Sequence, residues 1–353
     1  MFFGAVQLGL MAACVVLFVP MGMAGWHLSR NKVLFFSGAL FISLAVCIHL
    51  IPYFPSFFPQ TPSVISINQD LTTTNSCIST VNDVTFYSNF DGFSWNWDNS
   101  SRSSGLNDCD FQKLGRVDVL DLLNGSWVVV TGDSQARLFV VSLLDLVLGS
   151  DEMEKIHEDL FKRHSDHHIV VIEIGLKLDF IWSPYVTNLT DLVIEFKRNN
   201  TYPDVLVMGS GLWHMLHFTN YSNYGSSLRV LRDSLVQLLP VSNSDDDDVG
   251  QDPARVMHMF WLGMPTLINR LLNTEEKQVK MTREMCNAYD QELYKSKLLK
   301  QNGGSFFLLD VEMLSNRCGV ECSLDGMHYN DVVYEATVHV MLNALLIESH
   351  QKL

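Results

Sequence analysis

The chain has 353 residues, with 39 acidic and 24 basic side chains and a formal net charge of −15. That balance argues against a nucleic-acid binder, which needs a basic face to neutralise phosphates. Charged residues reach only 18% and hydrophobic residues 47%, so disorder of the whole chain is excluded and the apolar excess must be gathered somewhere.

It is gathered at the start. Residues 2–26 carry no charge, and after a short break a second uncharged run covers 33–51. Each run is long enough to cross a hydrocarbon core of roughly 30 Å as a helix. Arg30 and Lys32 lie between them, and the positive-inside rule keeps that loop cytosolic, so the chain beyond Ile51 enters the lumen. One transmembrane helix or two give the same placement, and the first run lacks the basic start of a cleavable signal. Residues 1–53 therefore read as a membrane anchor. Prolines 52, 55, 59 and 62 and the Ser/Thr/Asn-rich stretch that follows mark 54–79 as a stem, leaving 80–353 as the lumenal domain.

Two features agree with a lumenal domain. Glycosylation sequons stand at Asn99, Asn124, Asn188, Asn199 and Asn220, all beyond the apolar runs. Cysteines 77, 109, 286, 318 and 322 lie on the same side, an odd number that leaves at least one thiol unpaired or paired between chains. Cys318 with Cys322, and Cys77 with Cys109, are candidate pairs, although spacing alone does not fix connectivity.

From Ser126 onward short β-branched and aromatic runs at 127–131, 169–174, 204–208, 257–261 and 306–310 alternate with longer amphipathic segments. Runs of about five apolar residues are the signature of parallel strands buried on both faces. Helical patterns at 135–148, 189–198, 226–239, 275–300 and 331–347 lie between and after them. This order predicts a three-layer α/β/α sandwich around a central parallel sheet. Four consecutive aspartates, 245–248, read as a solvated loop rather than a cation site.

The chemistry-bearing residues sit at two ends of this pattern. Gly132-Asp133-Ser134 ends the first strand and opens a helix, which places the serine at the carboxyl edge of the sheet beside a helix N-terminus. A plain alternative is a turn with a helix-capping serine. A serine nucleophile needs a base held in one tautomer by a further acceptor, and Asp325-Gly-Met-His328, just before the last helix, supplies both. Ser134 is thus the candidate nucleophile, His328 the general base and acid, and Asp325 its orienting partner. Arg137, three residues after the nucleophile, shares its side of the first helical turn and is a candidate for binding a carboxylate or buttressing the site.

With these motifs the sequence resembles the SGNH or GDSL-type hydrolase superfamily, and within it the PC-esterase branch of trichome-birefringence-like polysaccharide and sialic-acid O-acetyltransferases. The resemblance covers about 126 to the C-terminus; the segments 180–184 and 204–214 are its weaker echoes. It implies an SGNH-like α/β/α sandwich and transfer of an acetyl group to a sugar hydroxyl through an acyl-serine, in the Golgi. No cofactor is implied beyond an acetyl-donor substrate of unknown identity. The expected partners are a polysaccharide or acetyl-carrier substrate, the membrane and acetyl-transporter proteins, with no nucleic acid. One departure stands out: the family's third motif carries an asparagine that donates to the oxyanion, whereas here the stretch reads Gly209-Ser-Gly-Leu-Trp-His214. The oxyanion donors are then expected from the N–H of Ser134, that of Gly175 after the second strand, and a group between Gly211 and His214. Trp213 and Trp182 are candidates for stacking on sugar rings.

The histidines at 164, 167, 168, 214 and 217 carry no metal-type motif, and no metal is expected. No phosphate loop or dinucleotide fingerprint is present, which disfavours nucleotide-driven chemistry and hydride transfer. Two rival readings share the domain: an esterase with the same triad and water as acceptor, and a non-catalytic glycan-binding or scaffold partner of the acetylation machinery.

Overall fold

The computed structural model describes residues 77–90, 92–97, 111–148, 152–153, 156, 160, 164–236 and 257–350. All belong to the second of the two units into which the chain divides, 68–353. The anchor, most of the stem, Asn99, Cys109 and the acidic run 245–248 lie outside the described residues. Residues 77–80 form a helical turn whose Ile78 packs on the core, so the folded body already includes residue 77, which the sequence assigned to the stem.

Six strands form the central sheet: β3 (Trp127–Gly132), β4 (His167–Val171), β5 (Leu176–Trp182), β6 (Val205–Met208), β7 (His258–Leu262) and β8 (Phe307–Leu309), in the order β4-β5-β3-β6-β7-β8. Neighbours from β5 to β8 run parallel, and β4 is antiparallel to β5 at the edge. A separate antiparallel hairpin, β1 (Val84–Asn89) and β2 (Gly92–Trp97), precedes them.

Period-two alternation explains why the central strands read as continuous apolar runs. Val128 and Val130 of β3, Val205 and Val207 of β6, and Phe260 and Leu262 of β7 enter one core. Their neighbours Val129, Leu206, Met208, Met259 and Trp261 enter the other. The first core is covered by α1 (Arg116–Leu122), α2 (Ser134–Val147), α8 (Val311–Cys318) and α9 (Asp331–His350). The second is covered by α3 (Val186–Asn199), α4 (Leu212–His217), α5 (Tyr221–Val236) and α7 (Arg283–Lys295), with the short α6 (Glu275–Lys280) beside α4. This is the expected three-layer arrangement. Helix α9 is apolar and long enough to cross a membrane, but it buries Val333, Ala336, Val340, Met341 and Leu345 in the domain and is a core helix.

The sequence reading needs correction at the second strand. The run 169–174 is not a buried parallel strand: β4 is the antiparallel edge, and Val170 and Ile172 are exposed. The parallel strand beside β3 is β5, whose apolar residues alternate with Lys177 and Asp179 because the second face is only partly covered at that end of the sheet. The segment 275–300 is likewise two helices, α6 and α7, each capped by a threonine, Thr274 and Thr282.

After β3 the chain passes to β5 on one side, then returns to β6 on the other. In doubly wound sheets that reversal opens a crevice at the carboxyl ends of the strands, where ligands bind.

Candidate active site

Strand β3 ends in that crevice, and the turn that follows is tight. Gly132 has φ of 158°, and a Cβ there would lie 2.6 Å from Gly209 O and 2.9 Å from the Ala136 Cβ, so only glycine lets β3, β6 and α2 meet so closely. Asp133 caps α2, its Oδ1 accepting the Gln135 N–H at 3.0 Å. Burial pushes the Asp133 carboxyl up to about 6, against the opposing pull of the Gln135 N–H, His328 and Arg137. Ser134 is the first residue of the helix, so its N–H has no intrahelical acceptor and faces the crevice edge.

From the far end of the chain, the loop between α8 and α9 brings Asp325 and His328 to the same place. His328 Nε2 is 2.8 Å from Ser134 Oγ, and His328 Nδ1 is 2.9 Å from Asp325 Oδ2. An ionised carboxylate can only accept, so the proton belongs on Nδ1 and Nε2 is left to accept from the serine hydroxyl. Asp325 Oδ1 also accepts the backbone N–H groups of His328 at 2.8 Å and Met327 at 3.1 Å. Burial alone would raise the Asp325 pKa, but these bonds from His328 and Met327 outweigh it and hold the carboxyl below its usual range. The loop is closed by the Ser323–Tyr329 bridge and the Cys318–Cys322 disulfide, and fixed outward by Ile268 N donating to Gly326 O and the Tyr329 hydroxyl donating to Thr266 O. Cys77 is also disulfide-bonded, and Cys286 is a buried free thiol.

Arg137 is buried, with its guanidinium carbon 4.9 Å from the Trp182 ring centre and its Nε and Nη2 without a hydrogen-bond partner. Burial lowers its pKa, and the neighbouring Asp133 charge works the other way. Trp182 continues into an aromatic wall at the crevice: His164 stacks on it at 4.7 Å, and Trp213 meets it edge-on at 5.5 Å and stacks on His217 at 5.0 Å. Trp95, Trp97 and Trp261 belong to the cores instead. Gly211 opens α4 with φ of 150°, where a Cβ would strike Met264 Sδ at 2.3 Å.

One expectation about the oxyanion donors fails. Gly175 sits in the turn that starts β5, at the end where Lys177 pairs with Trp127, whereas Gly132 pairs with Trp182 at the other end. Seven residues of strand, roughly 20 Å, separate it from Ser134. The His214 side chain is turned into the second core, its Nδ1 2.7 Å from the Tyr289 hydroxyl, and burial lowers its pKa. Among the remaining histidines, His168 bonds Asp179 at 2.8 Å and His167 bonds Ser165 at 3.0 Å, so the group does not converge on one point. A cavity of about 330 Å³ near β7 and β8, lined by Arg283, Cys286, Asp290, Asp310 and Glu312, contains no sequence-predicted site residue. Sequence reasoning missed Gln135; its signal was a polar residue on the inward face of an otherwise apolar helix.

Fold and site together define an α/β/α sandwich with a serine–histidine–aspartate hydrogen-bond chain at the carboxyl edge of its sheet. No family model matches the chain. It is 53% identical, over 99% of its length and 100% of the relative's, to Protein ALTERED XYLOGLUCAN 9 of Arabidopsis thaliana. The chain belongs to that protein's family, the trichome-birefringence-like group. Solved structures with some likeness include LAE5, an alpha/beta hydrolase from the metagenome of Lake Arreo, Spain, with 16% identity, 64% of this chain and 96% of that one covered, and a TM-score of 0.37. Another is Axe2, an acetylxylan esterase from Geobacillus stearothermophilus, with 15% identity, 66% and 96% coverage and a TM-score of 0.36.

Proposed function

We propose that the protein is a Golgi membrane-anchored O-acetyltransferase that acetylates a plant cell-wall polysaccharide, xyloglucan or xylan, or a carrier intermediate upstream of it, through acetyl-Ser134. The observation that carries the reading is the chain from Ser134 Oγ to His328 Nε2 at 2.8 Å and from His328 Nδ1 to Asp325 Oδ2 at 2.9 Å. Family membership supports the polysaccharide class, since the relative's name refers to xyloglucan. Placement in the lumen is supported by the exposed sequons Asn124, Asn188, Asn199 and Asn220 and by the Cys318–Cys322 disulfide.

His328 Nε2 takes the Ser134 proton as Oγ attacks the donor's acyl carbon, and returns it to the departing group. The acetyl-serine is then attacked by a sugar hydroxyl whose proton passes to the same nitrogen, and Ser134 Oγ recovers it as the ester leaves. Asp325 stabilises the imidazolium formed in each half. The backbone N–H groups of Ser134 and Gly211 and the buried Arg137 charge stabilise the oxyanion, replacing the family asparagine. Trp182 and Trp213 offer faces for the acceptor sugar.

The esterase reading keeps one supporting observation: the His328 and Asp325 side chains are 25% and 32% exposed, so water reaches the relay. Intact-mass analysis of the full chain after exposure to acetyl donors tests the covalent step. A serine-dependent gain of one acetyl group, absent in Ser134→Ala and discharged by polysaccharide, is the expected result. Discharge by water alone favours the esterase, and no adduct from a folded protein with several donors favours a non-catalytic scaffold.

A further inference from the structure

We infer that Gln135 is a positioning residue that sets the spacing between the nucleophile and its base, an inference that rests on the acyl-serine reading above. Gln135 follows Ser134 directly, and its side chain turns into the protein, 4% exposed. Its Nε2 donates to Met327 O at 3.0 Å, the carbonyl immediately before His328. Its Oε1 accepts from the hydroxyl of Tyr334, in the first turn of α9. One amide therefore joins the helix that carries the nucleophile, the loop that carries the base, and the helix that follows that loop.

The other restraints on the loop point elsewhere. Its bonds to Ile268 and Thr266 tie it to the segment after β7, and the disulfide ties it to the end of α8. Among the described residues, the hydrogen bonds from α2 to this loop are the Ser134–His328 contact itself and the bond from Gln135. Without Gln135 the reacting pair would have to hold its own distance, and the Met327 carbonyl, in a residue 6% exposed, would lose its donor. A carboxamide meets both neighbours at once at any pH: leucine offers neither bond, and an ionised carboxylate can accept from Tyr334 but cannot donate to Met327 O.

The test uses the purified full-length chain and 4-nitrophenyl acetate as acyl-donor probe, comparing wild type with Ser134→Ala, Gln135→Leu, Gln135→Glu and Tyr334→Phe. Gln135→Leu is expected to lower kcat roughly 10- to 100-fold, the range for sub-ångström to ångström misplacement of reacting groups, with KM within about twofold of wild type. Tyr334→Phe keeps the donor to Met327 O and is expected to lose less. Gln135→Glu provides a readout that a purely structural role would not move. Protonated, the new carboxyl donates to Met327 O, and ionised it cannot, so its rate relative to wild type should fall as pH rises from 5 to 8. Loss of less than twofold in a folded Gln135→Leu protein, or a pH-independent Gln135→Glu ratio, overturns the inference while leaving the triad intact. If Gln135→Leu does not fold, the Gln135→Glu ratio decides. Full activity in Ser134→Ala would instead overturn the acyl-serine reading itself.

Discussion

Asp133→Asn isolates one buried carboxyl next to Ser134. Asp133 is 3% exposed, and its pKa stands near 6 rather than at the ordinary 3.8 because burial disfavours the charge. A carboxyl whose folded pKa is raised stabilises the protein fully below its unfolded pKa and loses that contribution as pH rises through the folded value. A shift of about two units at 1.36 kcal/mol each gives about 3 kcal/mol, lost between pH 4 and pH 7. Asparagine keeps the capping acceptor for the Gln135 N–H, since the two residues are near equals at an N-cap, but it does not titrate. Urea unfolding followed by tryptophan fluorescence, with disulfides intact, gives both stabilities at pH 4 and pH 8. The stability of the variant minus that of wild type is expected to grow by about 3 kcal/mol between those two values; other titrating groups are shared and cancel in the difference. Parallel stability curves across the range would refute the reasoning, because they would mean that Asp133 ionises in place without cost.

Gly132→Ala would put a Cβ 2.6 Å from Gly209 O and 2.9 Å from the Ala136 Cβ, and overpacking of this kind costs about 1–3 kcal/mol. Since α2 must give way and carries Ser134 with it, both a lower Tm and a serine-acetylation rate reduced by roughly 100-fold are expected; an unchanged rate would mean the turn adapts without moving the nucleophile. Asp290→Asn tests the carboxylates of the cavity near β7 and β8, where burial and the charges of Glu312 and Asp310 raise Asp290 to about 7. Its contribution is also present at low pH and lost through pH 7, so the variant should be more stable than wild type at pH 8 by about 2–4 kcal/mol and nearly equal at pH 4, as read by Tm at the two pH values.

Strands β3, β6, β7 and β8 were legible because both faces of each are buried, which writes apolar residues at consecutive positions. Strand β5 was not, because Lys177 and Asp179 break the run on a face left partly open, while the exposed Val170 and Ile172 of the adjacent hairpin imitated a buried strand. The misplaced Gly175 follows from that single error: if the second strand had ended at 174, Gly175 would stand at its carboxyl end, whereas β5 begins at 176 and places it at the amino end. The Ser134–His328–Asp325 hydrogen-bond chain was readable because each member sits where a local signal marks an element boundary: Ser134 after a strand and an N-cap, Asp325 and His328 before the last helix. Gln135 had no such marker, since its partners Met327 and Tyr334 are fixed only by the packing of α2 against α9. Among the tryptophans, Trp182 and Trp213 could be separated from Trp95, Trp97 and Trp261 by their nearness to motifs, but their mutual contact depends on the meeting of β5 and α4.

The placement of the two halves of the site constrains where acceptor choice can reside. Ser134 belongs to α2 and His328 to the loop that enters α9; these helices pack together under one face of the sheet and are joined through Gln135. The relay is therefore a property of that helix pair, and on the proposed acyl-serine reading its chemistry is the same whether water or a sugar attacks. On the proposed reading, a place where the acceptors can be distinguished besides the exposed edge of the relay is the aromatic wall beside Arg137, where Trp182, Trp213, His164 and His217 pack against one another. A change in that wall can alter water access and sugar orientation while the 2.8 Å contact between Ser134 and His328 stays in place. On the proposed reading, substitution of Trp213 or Trp182 is expected to change the ratio of acetyl transfer to acetate release, whereas Ser134→Ala abolishes both.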